Sequence, residues 1–303
     1  MSQATASIAE PIKVEDIRAA SFLRDAIAAF RRNRLAMVGL LFVILLALLA
    51  IFAPLVSPYN PYIVDLDQSL LPPSLHHWLG TDNFGRDVLT RIIYGARISL
   101  VVGIVPSFIS LVIGTVMGIL SGYVGGRTDF VVMRLADMMI AFPSLLLAMV
   151  VMYTLGANLF NIFIALALVG WAGVARVVRS QTLALKEKEF IEAARANGTT
   201  QSTVMAHHIF PNVVPTLIVL FSLSIPDAIM WESSLSFLGV GVQPPEASWG
   251  LLVSAGKDYL FQAPMVAVAP GMAILLAVLV FNFVGDGLRD ALDPRGAVEG
   301  ESR

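Results

Sequence analysis

The sequence predicts an all-α integral membrane protein with six transmembrane helices and both termini on the cytoplasmic side. Three observations predict this. The 303-residue chain is 57% hydrophobic and 14% charged, whereas soluble domains carry about 25% charged residues. Its uncharged runs are long enough to cross a bilayer, which takes about 20 helical residues each. Its lysines and arginines are spread unevenly between the segments that join those runs, and that asymmetry sets orientation. The mean hydropathy of +0.78 agrees with this class.

The elements follow in order. Residues 1–34 form a polar cytoplasmic tail that ends in the basic RRNR (31–34). The apolar run 35–56 is the first span. It is expected to stay attached as a signal anchor, because its charged leader is long and no small-residue cleavage site follows. Residues 57–96 form an outer, periplasmic loop rich in proline and asparagine. Its last part, DVLTRIIYGAR (87–97), places Val88, Leu89, Ile92, Ile93 and Ala96 on one helical face, so a short interfacial helix is expected there. The core, 97–288, holds the five remaining helices and a cytoplasmic loop at 181–212, and residues 289–303 are a cytoplasmic tail.

Within the core, the second span (98–122) carries Ser110, Gly114, Gly118, Gly122 and Gly126 four residues apart. Such a ridge of small residues lets another backbone come close, and both tight packing and a part in gating motion fit it. The uncharged run 138–175 would be about 57 Å long as one helix, at ~1.5 Å per residue, too long for one crossing. It contains the turn-like LGANLFN (155–161), so two spans are expected, 131–154 and 160–179. Arg134 and Asp137 near the start of the third span are expected to pair with each other, and Pro143 to kink it. The fifth and sixth spans are 213–231 and 264–287. The segment between them, ESSLSFLGVGVQPPEASWG (232–250), is too broken to span and suits a partly re-entrant outer segment. With this topology, 16 of the 20 lysines and arginines lie on the inner side.

Composition removes several function classes. The chain has no cysteine, which excludes disulfides, thiol nucleophiles and cysteine-ligated metal centres. A net charge of −2 offers no basic footprint for nucleic acid, so the surrounding partner is membrane lipid. GTDNFGRD (80–87) has the outline of a phosphate loop. However, Arg86 and Asp87 occupy the lysine and magnesium-ligand positions, and Asp82 puts negative charge inside the cradle. Neither His76/His77 nor His207/His208 has a carboxylate at ligand spacing, so both pairs read as polar loop or surface residues and no metal site is expected. No serine–histidine–acid set and no HExxH occurs.

The polar stretch KEKEFIEAARANGTTQSTVMAHHIFPN (186–212) stands between two apolar runs. Residues 186–197 are good helix formers, and Gly198 sits where a helix ends in a left-handed turn. Thr199 or Thr200 can cap a second helix, expected to run to about Phe210 and stop at Pro211. Val204, Met205, His208 and Ile209 fall on one stripe. The result is a helical bend with small residues, Ala193 and Ala194, beside the turn. From the residues alone, it fits either a bend that enters a groove on another protein or a solvated pair of amphipathic helices.

Here the sequence resembles a known family. EAARANG followed by IFPN is similar to the EAA loop of ABC importer permeases. Glu192, Ala193, Ala194, Gly198 and Pro211 match the pattern, Phe210 replaces its usual leucine, and His208 stands where the pattern has isoleucine. HWLGTDNFGRDVLTRIIYGARISL (77–100), LSFLGVGVQPPEASWG (235–250) and FNFVGDGLRDALDP (281–294) resemble C-type permease subunits of dipeptide, oligopeptide, glutathione and nickel importers. The resemblance implies the type I ABC importer transmembrane fold in a bacterial inner membrane. It also implies a heterodimer with a second homologous permease, two cytoplasmic ATPases docked on the EAA loops, and a periplasmic or lipid-anchored substrate-binding protein. On this reading the chain binds no cofactor and makes no bond; ATP and magnesium are used by the ATPase subunits.

A peptide pathway would need polar groups within the spans. Candidates are Ser107, Ser110, Ser144, Asn161, Ser222, Ser224, Asp227 and Asn282. Asp227 is the acid among them and could meet a peptide amino terminus. The rival classes make other demands. A membrane-embedded enzyme would gather catalytic residues within the spans, and a stand-alone secondary transporter would show an inverted repeat between halves. Neither pattern is visible.

Overall fold

The computed structural model describes residues 24–292, so the N-terminal tail to residue 23 and the C-terminal tail from residue 293 lie outside the described residues. Residues 24–32 are helical. Asn33 then starts α1 (Arg34–Ile51), its side chain accepting from the Ala36 amide at 3.1 Å. After a further turn at Ala53–Val56 comes the long loop 57–87. Asp87 ends that loop as the N-cap of α2 (Val88–Val124), accepting from the Thr90 amide at 2.8 Å, which satisfies a backbone donor that the helix leaves free.

Next come α3 (Gly126–Ala141), α4 (Ser144–Leu155), α5 (Leu159–Lys186) and α6 (Glu189–Ala196). The chain turns at Gly198 and enters a rod made of Gln201–Thr203, a π-helical turn at Val204–Ile209, and α7 (Phe210–Phe237). An irregular connection leads to α8 (Trp249–Gly256), and α9 (Met265–Leu292) ends the described chain. Five helices are long and apolar enough to cross a membrane: α1, α2, α5, the rod Gln201–Phe237, and α9. A sixth candidate is the pair α3 and α4, bent by 93°. The protein is all-α, with no strand among the described residues.

Several expectations are corrected. The interfacial helix at 87–97 is not separate, because α2 runs through it for 37 residues. Arg91, which would have held that segment at the surface, is neutralised by Asp82, with Nη1 to Oδ2 at 2.6 Å. Pro143 breaks the third span rather than kinking it, since it cannot continue the helix hydrogen bonding of α3. Asp137 pairs across to Arg176 of α5 at 2.8 Å, while Arg134 lies over the Phe130 ring at 5.5 Å. The Arg134–Asp137 pair therefore does not form. Pro211 does not stop the second helix of the bend. The π turn, in which the Phe210 amide bonds the Met205 carbonyl, widens the backbone just before Pro211 and lets the rod continue. The segment 232–250 is broken as expected, but its first residues extend α7 to Phe237.

The centre of the bundle is α2, which packs on α1, α3, α5, α7, α8 and α9. Its small-residue ridge meets α5. A Cβ at Gly114 would lie 2.7 Å from the Trp171 carbonyl, one at Gly118 would lie 2.6 Å from the Ala175 carbonyl, and one at Gly122 would lie 2.9 Å from the Arg179 carbonyl. Ser110 Oγ donates to the Ala167 carbonyl at 3.2 Å. Hence the two backbones touch along the seam, with no room for a side chain on α2. Gly126 falls outside it, in a turn with φ +55° and open space around it.

This seam yields a prediction. Gly118→Val should destabilise the detergent-solubilised protein by about 1–3 kcal/mol through overpacking, read as a lower Tm. Gly173→Ala, where nothing lies within 4 Å of the added Cβ, should raise Tm, because replacing a helical glycine relieves about 0.5–1 kcal/mol.

Candidate functional site

The bend expected from the sequence is present. In α6, Glu189 and Glu192 occupy the first turn and Arg195 the last, the arrangement that the helix dipole favours. The helix ends in paired bonds: the Gly198 amide reaches the Arg195 carbonyl at 2.9 Å and the Thr199 amide reaches the Ala194 carbonyl at 3.1 Å. Gly198 has φ +78°, a conformation in which a Cβ is strained. Thr200 caps the next turn, accepting from the Thr203 amide.

One face of this bend is fixed to the bundle. Ile191 is 0% exposed and packs with Val204, Ile209, Val213, Val178 and Ile119, flanked by Ala194 and Met205. His208 is half-buried on the same stripe. The other face is open: Phe190, Glu192 and Ala193 are exposed. Phe210 is exposed as well and lines an apolar groove of about 570 Å³ with Phe108, Val112 and Val116. The arrangement is a firmly seated helix that presents a small-residue, acidic surface outward.

A second feature lies deeper, between α2, α5 and α7. A cavity of about 170 Å³ is lined by Ser107, Ser110, Ser224 and Asp227, with Leu166, Val169 and Trp231 among its apolar walls. Ser107 donates to the Ser224 carbonyl at 3.1 Å, Ser110 to the Ala167 carbonyl at 3.2 Å, and Ser224 to the Phe221 carbonyl at 2.8 Å. Each hydroxyl hydrogen is thereby used within the backbone, so the oxygens offer the cavity acceptor lone pairs. With the Asp227 carboxylate, the polar lining suits a hydrogen-bond donor or a cation.

The other pathway candidates sit elsewhere. Asn161 is buried in the turn before α5 and donates to the Leu155 and Gly156 carbonyls at 2.9 and 2.8 Å. Ser222 is buried and donates to the Val219 carbonyl at 2.9 Å. Ser144 begins α4, and Asn282 is half-buried on α9; neither lines this cavity.

The loop 57–87 has its own order. Asp82 accepts from the Phe84 and Arg86 amides at 2.8 and 3.0 Å and pairs with Arg86 at 2.8 Å. The charge inside the supposed phosphate cradle is therefore the group that folds the loop. His77 is not a surface residue but a buried one, with Nδ1 3.0 Å from Asp87 and Nε2 2.9 Å from Gln68. A carboxylate does meet it, ten residues along, because the loop folds back on the start of α2. Among the described residues no group of three or more histidine, cysteine, aspartate or glutamate side chains is placed to hold a metal.

One polar residue escaped the sequence reading. Glu232 is 0% exposed, and its Oε1 accepts from Ser236 at 2.6 Å and Ser248 at 2.7 Å. Ser236 also accepts from the Val242 amide and Ser248 from the Leu251 amide. Glu232 thus fastens both ends of the irregular connection to α7. The sequence signal was an acid four residues before a serine within an otherwise apolar run.

Comparison with known proteins follows from this geometry. Residues 114–297 match the family described as binding-protein-dependent transport system inner membrane component. Residues 21–73 match the N-terminal TM domain of oligopeptide transport permease C. The chain is 43% identical over 292 residues to the oligopeptide transport system permease protein OppC of Bacillus subtilis (strain 168), covering 96% of this chain and 95% of that one. It is 42% identical over 285 residues to the dipeptide transport system permease protein DppC of Alkalihalophilus pseudofirmus, covering 94% of each. It is 45% identical over 267 residues to the glutathione transport system permease protein GsiD of Escherichia coli O6:K15:H31, covering 88% of each. A solved structure of the MetNI methionine ABC transporter in inward-facing conformations superposes with a TM-score of 0.55 at 19% identity, covering 67% of this chain and 96% of that one. This last likeness is one of fold.

The seating of α6 can be tested directly. Ile191→Asp buries an unpaired charge, which costs several kcal/mol when nothing compensates it. The helix should detach, so residues 186–199 in membrane vesicles become sensitive to trypsin while the spans stay protected. Ile191→Val should leave the segment resistant.

Proposed function

The chain belongs to the family of binding-protein-dependent transport system inner membrane components, and from that premise we propose that it is the permease subunit of an ATP-driven importer of di- and oligopeptides. It is a multi-pass protein of the bacterial inner membrane, and ATP hydrolysis belongs to partner subunits. The peptide assignment rests on relatives named for oligopeptide and dipeptide transport. A relative named for glutathione transport makes that tripeptide the second reading, and nickel complexes are a third substrate class for comparison.

The observation that carries the mechanism is the bend at Glu192–Gly198, seated on one face and open on the other. With 186–212 on the cytoplasmic side, as the cation distribution favours, its open face meets one of two ATPase subunits. A second, homologous permease completes the pathway, and a periplasmic or lipid-anchored binding protein delivers the peptide from outside. Closure of the ATPases on ATP and magnesium displaces α6, and the bundle alternates between outward- and inward-facing states. No bond forms or breaks in this chain. Glu192 pairs with a basic group on the ATPase, Ala193 and Ala194 allow close approach, and Gly198 provides the turn. His208, Phe210 and Pro211 shape the continuation into α7. The Ser107, Ser110, Ser224 and Asp227 cavity provides acceptors for the ammonium end of a peptide. Ser144, Asn161, Ser222 and Asn282 support the spans around it.

The deciding experiment is uptake by the reconstituted complex, with dipeptides, longer peptides, glutathione and nickel compared; absence of peptide uptake overturns the assignment. Gly198→Val and Glu192→Lys should insert normally, yet uncouple ATP hydrolysis from uptake, and unimpaired uptake by both would sink the coupling role. Asp227→Asn should reduce uptake of peptides with a free amino terminus by about tenfold, the worth of one charge-assisted hydrogen bond. Uptake of N-acetylated peptides should change little. Equal transport of both by the variant across pH removes Asp227 from the pathway.

A further inference from the structure

The bend must pass its motion to the spans, and most of its contact with them is apolar. Ile191, Val204 and Ile209 are fully buried there, but apolar burial is non-directional and lets surfaces slide. One contact is directional. Tyr123, in the last turn of α2, is 5% exposed and belongs to the same apolar cluster. Arg195 of α6 lies with its guanidinium carbon 5.1 Å from the Tyr123 ring centroid, and its Nε donates to the phenol oxygen at 3.3 Å. Lys186, the last residue of α5, lies with Nζ 5.7 Å from the same centroid and donates to the Tyr123 carbonyl at 2.8 Å. Three helix ends thus converge on one side chain.

We propose that Tyr123 is the linkage through which α6 moves α2, a positioning residue for the transport cycle. The proposal rests on the coupling role given to α6 above. Among the described residues, the Arg195–Tyr123 contact is the one side-chain hydrogen bond that leaves α6 for the membrane helices. A guanidinium over an aromatic face is held in both distance and orientation, unlike an alkyl contact. Lys186 bonds the Tyr123 backbone at 2.8 Å and so ties the end of α5 to the end of α2, which then move with the ring as one unit. From Tyr123 the α2 rod runs about 20 Å outward, at ~1.5 Å per residue, to Ser110 at the cavity. A shift at the bend therefore reaches the cavity along one unbroken helix. The nearby Asp129–Arg179 pair ties α3 to α5 and does not touch α6, so it cannot serve this purpose.

The test uses the reconstituted complex, with peptide imported per ATP hydrolysed normalised to assembled complex. Tyr123→Leu should lower that ratio about tenfold, within the range by which residues along a coupling route modulate it, while the ATPases still co-purify. Tyr123→Phe keeps the ring but removes the phenol oxygen that accepts from Arg195, so its ratio should fall between those of the wild type and Tyr123→Leu. Arg195→Met should resemble Tyr123→Leu, and the double variant should be no worse than the worse single, as for two ends of one linkage. A wild-type ratio for Tyr123→Leu overturns the proposal, and so do multiplicative effects of the two substitutions, which would mark Arg195 as a direct ATPase contact. A second readout is independent of substrate. This chain has no native cysteine, so with the partner subunits' cysteines replaced a fluorophore on Met117→Cys reports α2; its response to ATP should vanish in Tyr123→Leu. If the wild-type complex imports no peptide, the transport assignment fails, while the fluorophore still decides the linkage.

Discussion

The close contact of two backbones along the α2–α5 seam is the constraint on which the rest of the molecule depends. In a bilayer, burying apolar surface between helices yields little, since lipid tails are as apolar as leucine. Association must come from close packing and from polar contacts. Gly114, Gly118 and Gly122 supply the first by letting α5 carbonyls approach α2. Ser110 supplies the second, with its bond to Ala167. Everything attributed to function hangs on these two helices: the cavity near Ser110 and Ser224, and the seat of the bend near Tyr123 and Val178.

The two ends of α2 are held in different ways, and the difference suits their tasks. At the N-terminal end the fastening is ionic. Asp82 accepts from Arg86 and Arg91, and Asp87 caps the helix while it holds His77. This loop returns on itself to meet the start of α2. At the C-terminal end the ring of Tyr123 receives Lys186 and Arg195, which belong to α5 and α6. Charge-assisted bonds between buried groups hold the first end, whereas the second combines two cations at one ring with hydrogen bonds from Lys186 to the Tyr123 carbonyl and from Arg195 to its phenol oxygen.

Much of this was legible in the sequence because it depends on local chemistry. The left-handed turn at Gly198, the Thr200 cap, the buried stripe through Val204 and Ile209, and the ridge of small residues each need only neighbours along one helix. What escaped depends on residues far apart in sequence. Asp137 was matched with Arg134, three residues away, yet Arg176 lies nearer in space across the α3–α5 contact. His77 read as a surface group because no acid stood close in sequence, and Asp87 reaches it only through the fold of the loop. Of the pathway candidates, Ser107, Ser110, Ser224 and Asp227 come together, while Asn161 is spent on the turn before α5. Polarity within a span does not reveal which way a side chain faces.

Pro211 shows how a local rule can hold and still mislead. Proline cannot donate the bond that continues a helix, and its ring crowds the carbonyl one turn back. Those facts predict a stop. The chain meets both through the wide π turn at Val204–Ile209, while the Asn212 side chain donates to the His208 carbonyl at 2.7 Å. The rod Gln201–Phe237 therefore stays continuous. Kept continuous, the same proline places Phe210 outward and leaves Ile209 fully buried beside Ile191. The departure from regular helix geometry thus falls where the bend joins the span, and it keeps the two in one helix.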